Sequence, residues 1–353
     1  MNMNKEEMTP YERMMITIHG GQPDRVPVIP QVRDWCIRHA GFKISEVLVN
    51  AEKYVFAQYF CQKKFGYDAI WDLLAIHAES EAMGILLKIY DDSPPSVTEP
   101  IIKDYDQDLS KLKIPNPYKD GRLPFLLKII ERLKELCDKK VPVLGYVQMP
   151  FRHCCMLRGV ENVTRDMYKK PDRLRELLEM SLASLIPYGI AVAHAGADIV
   201  CLSDPTSSGD MISKDHLENF SLPYAKRLID ILKKTGVPIL LHVCGDTSDR
   251  LDSLVALGIN ILSLDYKVDF EFAKKTVGDK VCLMGNINPS ETLLLGNPSR
   301  VQKESKEVIK KAGVKGNFIL SSGCFISPDT PEENVQAMVD AAKMYGKYPL
   351  NLS

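Results

Sequence analysis

DIVCLSD (198–204), VPILLHV (237–243), NILSLD (260–265), KVCLMGN (280–286) and NFILSSG (317–323) decide the fold. Each is a short apolar run rich in β-branched residues, and helix-length segments such as 214–234 and 299–313 lie between them. Runs without polar alternation, spaced by helices, predict parallel strands covered on both faces. Toward the N-terminus, VPVLGYVQ (141–148), YDAIWD (67–72) and RVPVIP (25–30) have the same character. Eight strand candidates in 353 residues predict an α/β chain folded as a (β/α)₈ TIM barrel, with a doubly wound open sheet as the alternative.

Helix signals fit this rhythm. Ser213 stands before KDHLENF as an N-cap, and Pro331 with Glu332 and Glu333 opens a last helix at its positive dipole end. Gly236, Gly258 and Gly313 each follow a helical stretch, where C-terminal caps stand. A helical segment at 8–20 precedes the first strand. After the second strand the rhythm breaks over 84–121, which begins GILLKIYDDSPPSVTEPIIKD. That segment predicts a hairpin and a loop on the barrel rim, either a surface insertion or an active-site lid. No composition shift marks an internal boundary, so residues 1–353 are expected to form one barrel domain.

Charged residues make up 26% and apolar residues 45%, enough to bury a core without disulfide or metal staples. A metal, if bound, therefore serves function. A net charge of −1 leaves no basic footprint for nucleic acid. Nine cysteines, an odd number set mostly in apolar runs, suit free thiols in a reducing compartment. MNMNKEEMTPYERM (1–14) has no apolar signal-peptide core, and the longest apolar stretches are read as strand-sized, so a cytoplasmic chain with no membrane contact is expected.

Barrel enzymes carry their chemistry at the carboxyl ends of the strands. Here those ends hold Asp72, Gln148, Asp204, His242 with Cys244, Asp265, Asn286 and Cys324. LLHVCGD is the most informative. Alternation along an extended chain sets His242 and Cys244 on one side, and Cys324 of SSGCFISPDTP stands at another strand end. One imidazole and two thiolates with a vacant fourth position is a ligand set of catalytic zinc. Taken singly, Cys324 reads more readily as a small buried apolar residue.

Asp265 and Glu79 are candidates for an oxygen ligand or a hydrogen bond to His242, and Asp265 serves equally as a helix N-cap. Asp204 in SDPTSSGD can cap a turn. Arg33 and Arg38 can clamp a carboxylate, or Arg33 can simply pair with Asp34. Trp35, Trp71, Phe151, Tyr266 and Phe325 fall near strand ends and can line a flat pocket or serve as packing. His77 and His153 are read as surface loop residues.

The chain resembles the uroporphyrinogen decarboxylase superfamily along nearly its whole length. RVPVIPQVRDWCIRHAGF resembles the family's Arg-bearing N-terminal segment, YDAIWDLLAIHAESEAMGI its Asp-bearing second strand, and MGNINPSETLLLG its Gly-Asn-x-x-Pro strand end. GADIVCLSDPTSSGDMIS, LLHVCGDTSDRL and ILSSGCFISPDTPEENVQAMVDAAK look like the zinc-dependent corrinoid methyltransferase branch. That branch includes methylcobalamin:coenzyme M methyltransferases and bacterial methyl-donor:corrinoid protein methyltransferases.

The resemblance implies Zn²⁺ on His242, Cys244 and Cys324, and a corrinoid (cobalamin) brought by a separate corrinoid-binding protein. Asp72, which loosely matches a decarboxylase position, and Glu79, Asp204 and Asp265 are the expected catalytic residues, and Arg33, Trp35, Gln148 and Asn286 the expected substrate contacts. The segment around Arg33 departs from the decarboxylases' Arg-rich loop. The expected reaction moves a methyl group between a small methylated compound, such as a methoxylated aromatic undergoing O-demethylation in anaerobic one-carbon metabolism, and corrinoid cobalt. The alternatives are a methylcobalamin:thiol (coenzyme M-type) methyltransferase and a metal-free uroporphyrinogen decarboxylase.

Overall fold

The computed structural model describes residues 7–72, 74 and 76–350. Seven parallel strands run in spatial order β1 (Ile70–Asp72), β4 (Val143–Gln148), β5 (Ile199–Ser203), β6 (Ile239–Val243), β7 (Ile261–Leu264), β8 (Cys282–Ile287) and β9 (Phe318–Ser322). Each falls inside, or within a residue of, a run predicted from sequence. The eighth position belongs to RVPVIP. Pro27 and Pro30 have no N–H to give a ladder, so this segment closes the barrel through a few bonds only. Ile29 N donates to Leu320 O (2.8 Å), Leu320 N to Pro27 O (2.9 Å) and Asp68 N to Val28 O (2.8 Å). The protein is a (β/α)₈ TIM barrel with one strand reduced to a bridge.

Asp68 ties this seam together. Its carboxylate accepts from Val28 N (2.7 Å), Arg25 Nη1 (2.7 Å) and Arg13 Nη1 (2.6 Å), all buried. Arg13 lies on the helix Pro10–Ile18, which starts at an N-cap Thr9 locked by a capping box with Glu12.

Strand alternation divides the core in two. Ile29, Trp71, Leu144, Tyr146, Ile199, Cys201, Leu240, Ile261, Met284 and Ile319 form one cluster, joined by Met14 and Ile18 of the N-terminal helix. The intervening residues, among them Val147, Val200, Leu202, Leu241, Leu262 and Leu320, belong to the larger cluster made with the surrounding helices. This is the inside–outside alternation of a barrel strand. Gly145 in β4 is required by the close cover of helix Pro171–His194, since a Cβ there would lie 2.4 Å from Val192 Cγ1. That helix also corrects the expectation that apolar stretches are only strand-sized. It is long and apolar enough to cross a membrane, but 61% of its most apolar window is buried inside the molecule.

The predicted helix 214–234 is not continuous. It begins at Lys214–His216 behind the Ser213 cap, widens to a π-turn over Leu217–Ser221, and resumes as Leu222–Leu232. Pro223, without an N–H, accounts for the widening. In 84–121 the hairpin is present, β2 (Leu87–Lys88) paired antiparallel to β3 (Ser96–Val97), and a short helix Tyr105–Asp108 follows it. Gly236 and Gly258 take the left-handed conformation expected of C-caps, whereas Gly313 does not.

Candidate metal centre

The inward row of side chains that is apolar through the barrel turns polar at the carboxyl ends. Gln148 follows Tyr146, Ser203 follows Cys201, His242 follows Leu240 and Ser263 follows Ile261. Gln148 is in register with Ser203, Ser203 with His242 and His242 with Ser263.

His242, Cys244 and Cys324 meet here, their ligand atoms all within 4.8 Å of one another. His242 Nε2 lies 3.1 Å from Cys244 Sγ, which lies 3.5 Å from Cys324 Sγ. A tetrahedral zinc with Zn–S bonds of about 2.3 Å spaces its sulfurs about 3.8 Å apart, so these residues fit such an ion. The Sγ–Sγ contact holds the Cys244 thiol below its usual range against an opposing effect of burial. The same contact, helped by burial, pushes Cys324 up. Cys201 and Cys282, by contrast, are pushed up to about 12 by burial and are inert. All nine cysteines are free thiols, as expected.

Close packing beside each cysteine constrains the two ligand loops. Gly245 adopts φ +88°, and a Cβ there would strike Asp210 Oδ2 at 2.4 Å. Gly323 packs its α-carbon on the next loop, where a Cβ would lie 2.4 Å from Tyr266 N. Glycine in both HVCG and SSGC is therefore a demand of loop packing beside each cysteine.

Ser263, which sequence reasoning missed, is the partner of His242. Its Oγ lies 3.0 Å from Nδ1, so an Nδ1–H donated to it leaves Nε2 bare toward the sulfurs. Alternation on β7 was the available signal, but it does not say which strand lies opposite. The expected bond from Asp265 or Glu79 to His242 is corrected accordingly. Asp265 instead accepts from Gly245 N (3.0 Å) and Lys267 N (3.1 Å), fixing the turn after Cys244. Glu79 accepts from Gln148 N (2.7 Å) and Nε2 (3.0 Å), and burial raises its pKa against those bonds. Asp204 caps its own turn through Thr206 and Ser207, also raised by burial. Asp72 is buried with Oδ1 unpartnered, its pKa pushed up to about 8 by burial.

Other expected contacts are redirected by packing. Trp35 is fully buried, donates from Nε1 to Thr330 O (2.8 Å) and stacks on His39, so it does not present a face to substrate. The Asn286 amide is consumed by Asp265 O (3.0 Å) and Val268 O (2.8 Å). Trp71 and Phe151 are buried and Tyr266 is exposed, which leaves Phe325 as the ring beside His242, 6.4 Å between centroids. Arg33 pairs with Asp34 (2.5 Å) and lies 4.9 Å over the Phe325 ring. Arg38 pairs with Asp329 on the surface. His153 is no surface residue: it is buried on helix Pro150–Arg158, and burial lowers its pKa to about 3. His77 is half-buried and lowered to about 4, by burial first and then by Arg152 and Arg33.

Residues 9–345 match the uroporphyrinogen decarboxylase (URO-D) family. The methylcobamide:CoM methyltransferase MtbA of Methanosarcina mazei is 31% identical over 96% of this chain and 99% of that protein. A uroporphyrinogen decarboxylase from Carboxydothermus hydrogenoformans is 28% identical over 88% of this chain and 91% of its own. Among solved structures, a methyltransferase from Methanosarcina mazei superposes with a TM-score of 0.87 at 26% identity, covering 96% of this chain and 99% of the other. The chain belongs to the uroporphyrinogen decarboxylase family and, within it, to the corrinoid methyltransferase branch.

Proposed function

We propose that this enzyme transfers a methyl group from the cobalt of a methylated corrinoid, carried on a separate protein, to a small thiol, with zinc held by His242, Cys244 and Cys324. The observation that carries this reading is the three-ligand cluster in a chain whose near relatives are named for methyl transfer to coenzyme M. The expected methoxylated-aromatic donor gives way to it. Of the five aromatic side chains expected to line a flat pocket, Phe325 alone packs beside His242.

Zinc bound there supplies one thing: it lowers the pKa of a thiol taken up at its fourth position, so that the sulfur reacts as a thiolate at neutral pH. The transfer balances simply. The S–C bond forms as the Co(III)–C bond breaks, both electrons of that bond stay on cobalt as Co(I), and the thiol proton leaves to solvent. The chain's own residues prepare this. Ser263 fixes the His242 tautomer, Asp265 anchors the turn that presents Cys244, and Gly323 lets Cys324 approach. Asp72 and Glu79 stand near each other on the β1–β4 side of the mouth as buried carboxyls with raised pKa, suited to hold a proton there.

The test combines elemental analysis with visible spectroscopy of methylcobalamin under anaerobic conditions. Purified protein should carry about one zinc and demethylate methylcobalamin only when a thiol is added. Cys244→Ser and Cys324→Ser should lose metal and activity together. Full activity in a zinc-free Cys324→Ser protein refutes the proposal.

A further inference from the structure

Helices that cover the barrel turn charge to solvent. Helix Leu222–Leu232 exposes Lys226, Arg227 and Asp230, and helix Pro298–Ala312 exposes Lys303, Glu307 and Lys311. Helix Ala51–Phe65 departs from them. Its inner side buries Tyr54, Val55, Gln58, Cys61, Gln62 and Phe65, while its outer side carries Glu52, Phe56, Phe60 and Lys63, with Tyr59 half-buried between them. Phe56 is 53% exposed and Phe60 38%. Their rings stack with centroids 5.7 Å apart, and Phe42 meets Phe56 edge-on at 6.0 Å. The rings form one contiguous apolar strip on a helix whose other side already packs into the core. A helix apolar on both sides is normally covered on both, and an exposed apolar patch rimmed by charge marks a contact surface.

The two ends of this strip are oppositely charged. Glu52 and Lys63 are separated by about three helical turns, so they stand on one line along the outer face with Phe56 and Phe60 between them. Glu52 accepts from Arg132 Nε at 3.1 Å, but Arg132 also pairs with Glu135. Two carboxylates share one guanidinium, which leaves that end net negative. Lys63 lies 4.9 Å over the Tyr59 ring and forms no ion pair among the described residues, while Lys64 beside it pairs with Glu332 (2.6 Å). The far end is therefore net positive.

Acid at one end, base at the other and rings between make a strip that complements itself when reversed. We propose that it joins two copies of this chain in an isologous dimer, with the two helices antiparallel about a two-fold axis level with residues 57–58. Phe56 of each copy then stacks on Phe60 of the other, and Glu52 faces Lys63 at both ends. A two-fold axis presents the same patch from both copies, which is what a self-complementary strip requires. Parallel packing would set like charges together, and a uniformly acidic or basic partner would satisfy one end only. The rings supply the apolar centre of the interface and the ions its polar rim. The face lies on the flank of the barrel and not at the strand ends, so this assembly stands independently of the transfer reading.

Sedimentation velocity and size-exclusion chromatography with light scattering test this on the purified chain, from micromolar to sub-millimolar concentration. A reversible monomer–dimer equilibrium is expected. Phe56→Glu or Phe60→Glu, with circular dichroism unaltered, should weaken it on the order of 100-fold, because each substitution enters the interface twice. Lys63→Glu should weaken it about 10-fold by facing Glu52 of the other copy, and adding Glu52→Lys should restore it. A chain that is monomeric at every concentration overturns the proposal, including one that instead cosediments with phosphatidylglycerol vesicles through Phe56. So does a dimer that survives Phe56→Glu, and so does a Lys63→Glu loss that Glu52→Lys leaves unrepaired.

Discussion

Replacing Ser263 with alanine takes away the oxygen to which the His242 Nδ1–H donates, 3.0 Å distant. His242 is 2% exposed and Ser263 1% exposed, so water does not readily step in. A buried N–H left unsatisfied costs about 1–3 kcal/mol. Without metal, the imidazole is free to turn or change tautomer and find another partner. Once Nε2 is committed to an ion, Nδ1–H must keep pointing at the missing oxygen, so the cost falls on the bound state. Converted at about 1.4 kcal/mol per decade, zinc affinity should fall roughly 5–150-fold. Changes to groups that orient metal-bound histidines cost about 10–100-fold elsewhere, which agrees. Competition against a chromogenic chelator at fixed pH measures this, with the denaturation midpoint as a control on folding. A Ser263→Ala protein that folds normally and holds zinc within twofold of wild type refutes the tautomer argument.

Further expectations concern the frame and its pH dependence. Asp68→Ala strips the shared carboxylate from Arg13 and Arg25, and urea denaturation should show a loss of about 3–5 kcal/mol. Gly323→Ala drives a Cβ to 2.4 Å from Tyr266 N, a backbone atom that no side-chain rotation can move away, so metal retention and the denaturation midpoint should both fall. Asp72 has its folded pKa raised from 3.8 to about 8, so the native state holds a proton that the unfolded chain releases between those values. Stability from this group is therefore present below about pH 4 and lost as pH rises toward 8, with a slope of at most about 1.4 kcal/mol per pH unit. Asp72→Asn should flatten that slope in denaturation series at pH 5 and pH 8, and an unchanged slope would remove Asp72 from the account.

The strands were legible because a barrel strand buried on both faces leaves an uninterrupted apolar run, as in ILLHV and FILSS. RVPVIP has the same apolar content, yet Pro27 and Pro30 deny it a ladder, and only knowledge of the opposing chain shows how it is seated. His242, Cys244 and Cys324 were readable because their chemistry is rare and their places at strand ends are periodic. Ser263 was not, since its role depends on which strand lies beside β6. Trp35 and Asn286 were misread for the converse reason: their side chains turn to backbone carbonyls that no local pattern announces.

The strand that leads to Cys324 is also the one that seals the barrel against residues 27–29. Gln31, on the far side of that seal, bonds to Ser322 and reaches Ser263 at 3.5 Å. A nascent chain that has emerged only as far as β8 thus holds an imidazole and one sulfur but no closed wall behind them. The last of the three proposed ligands and the strand that closes the barrel therefore belong to one stretch of chain, and neither is in place until β9 has met residues 27–29.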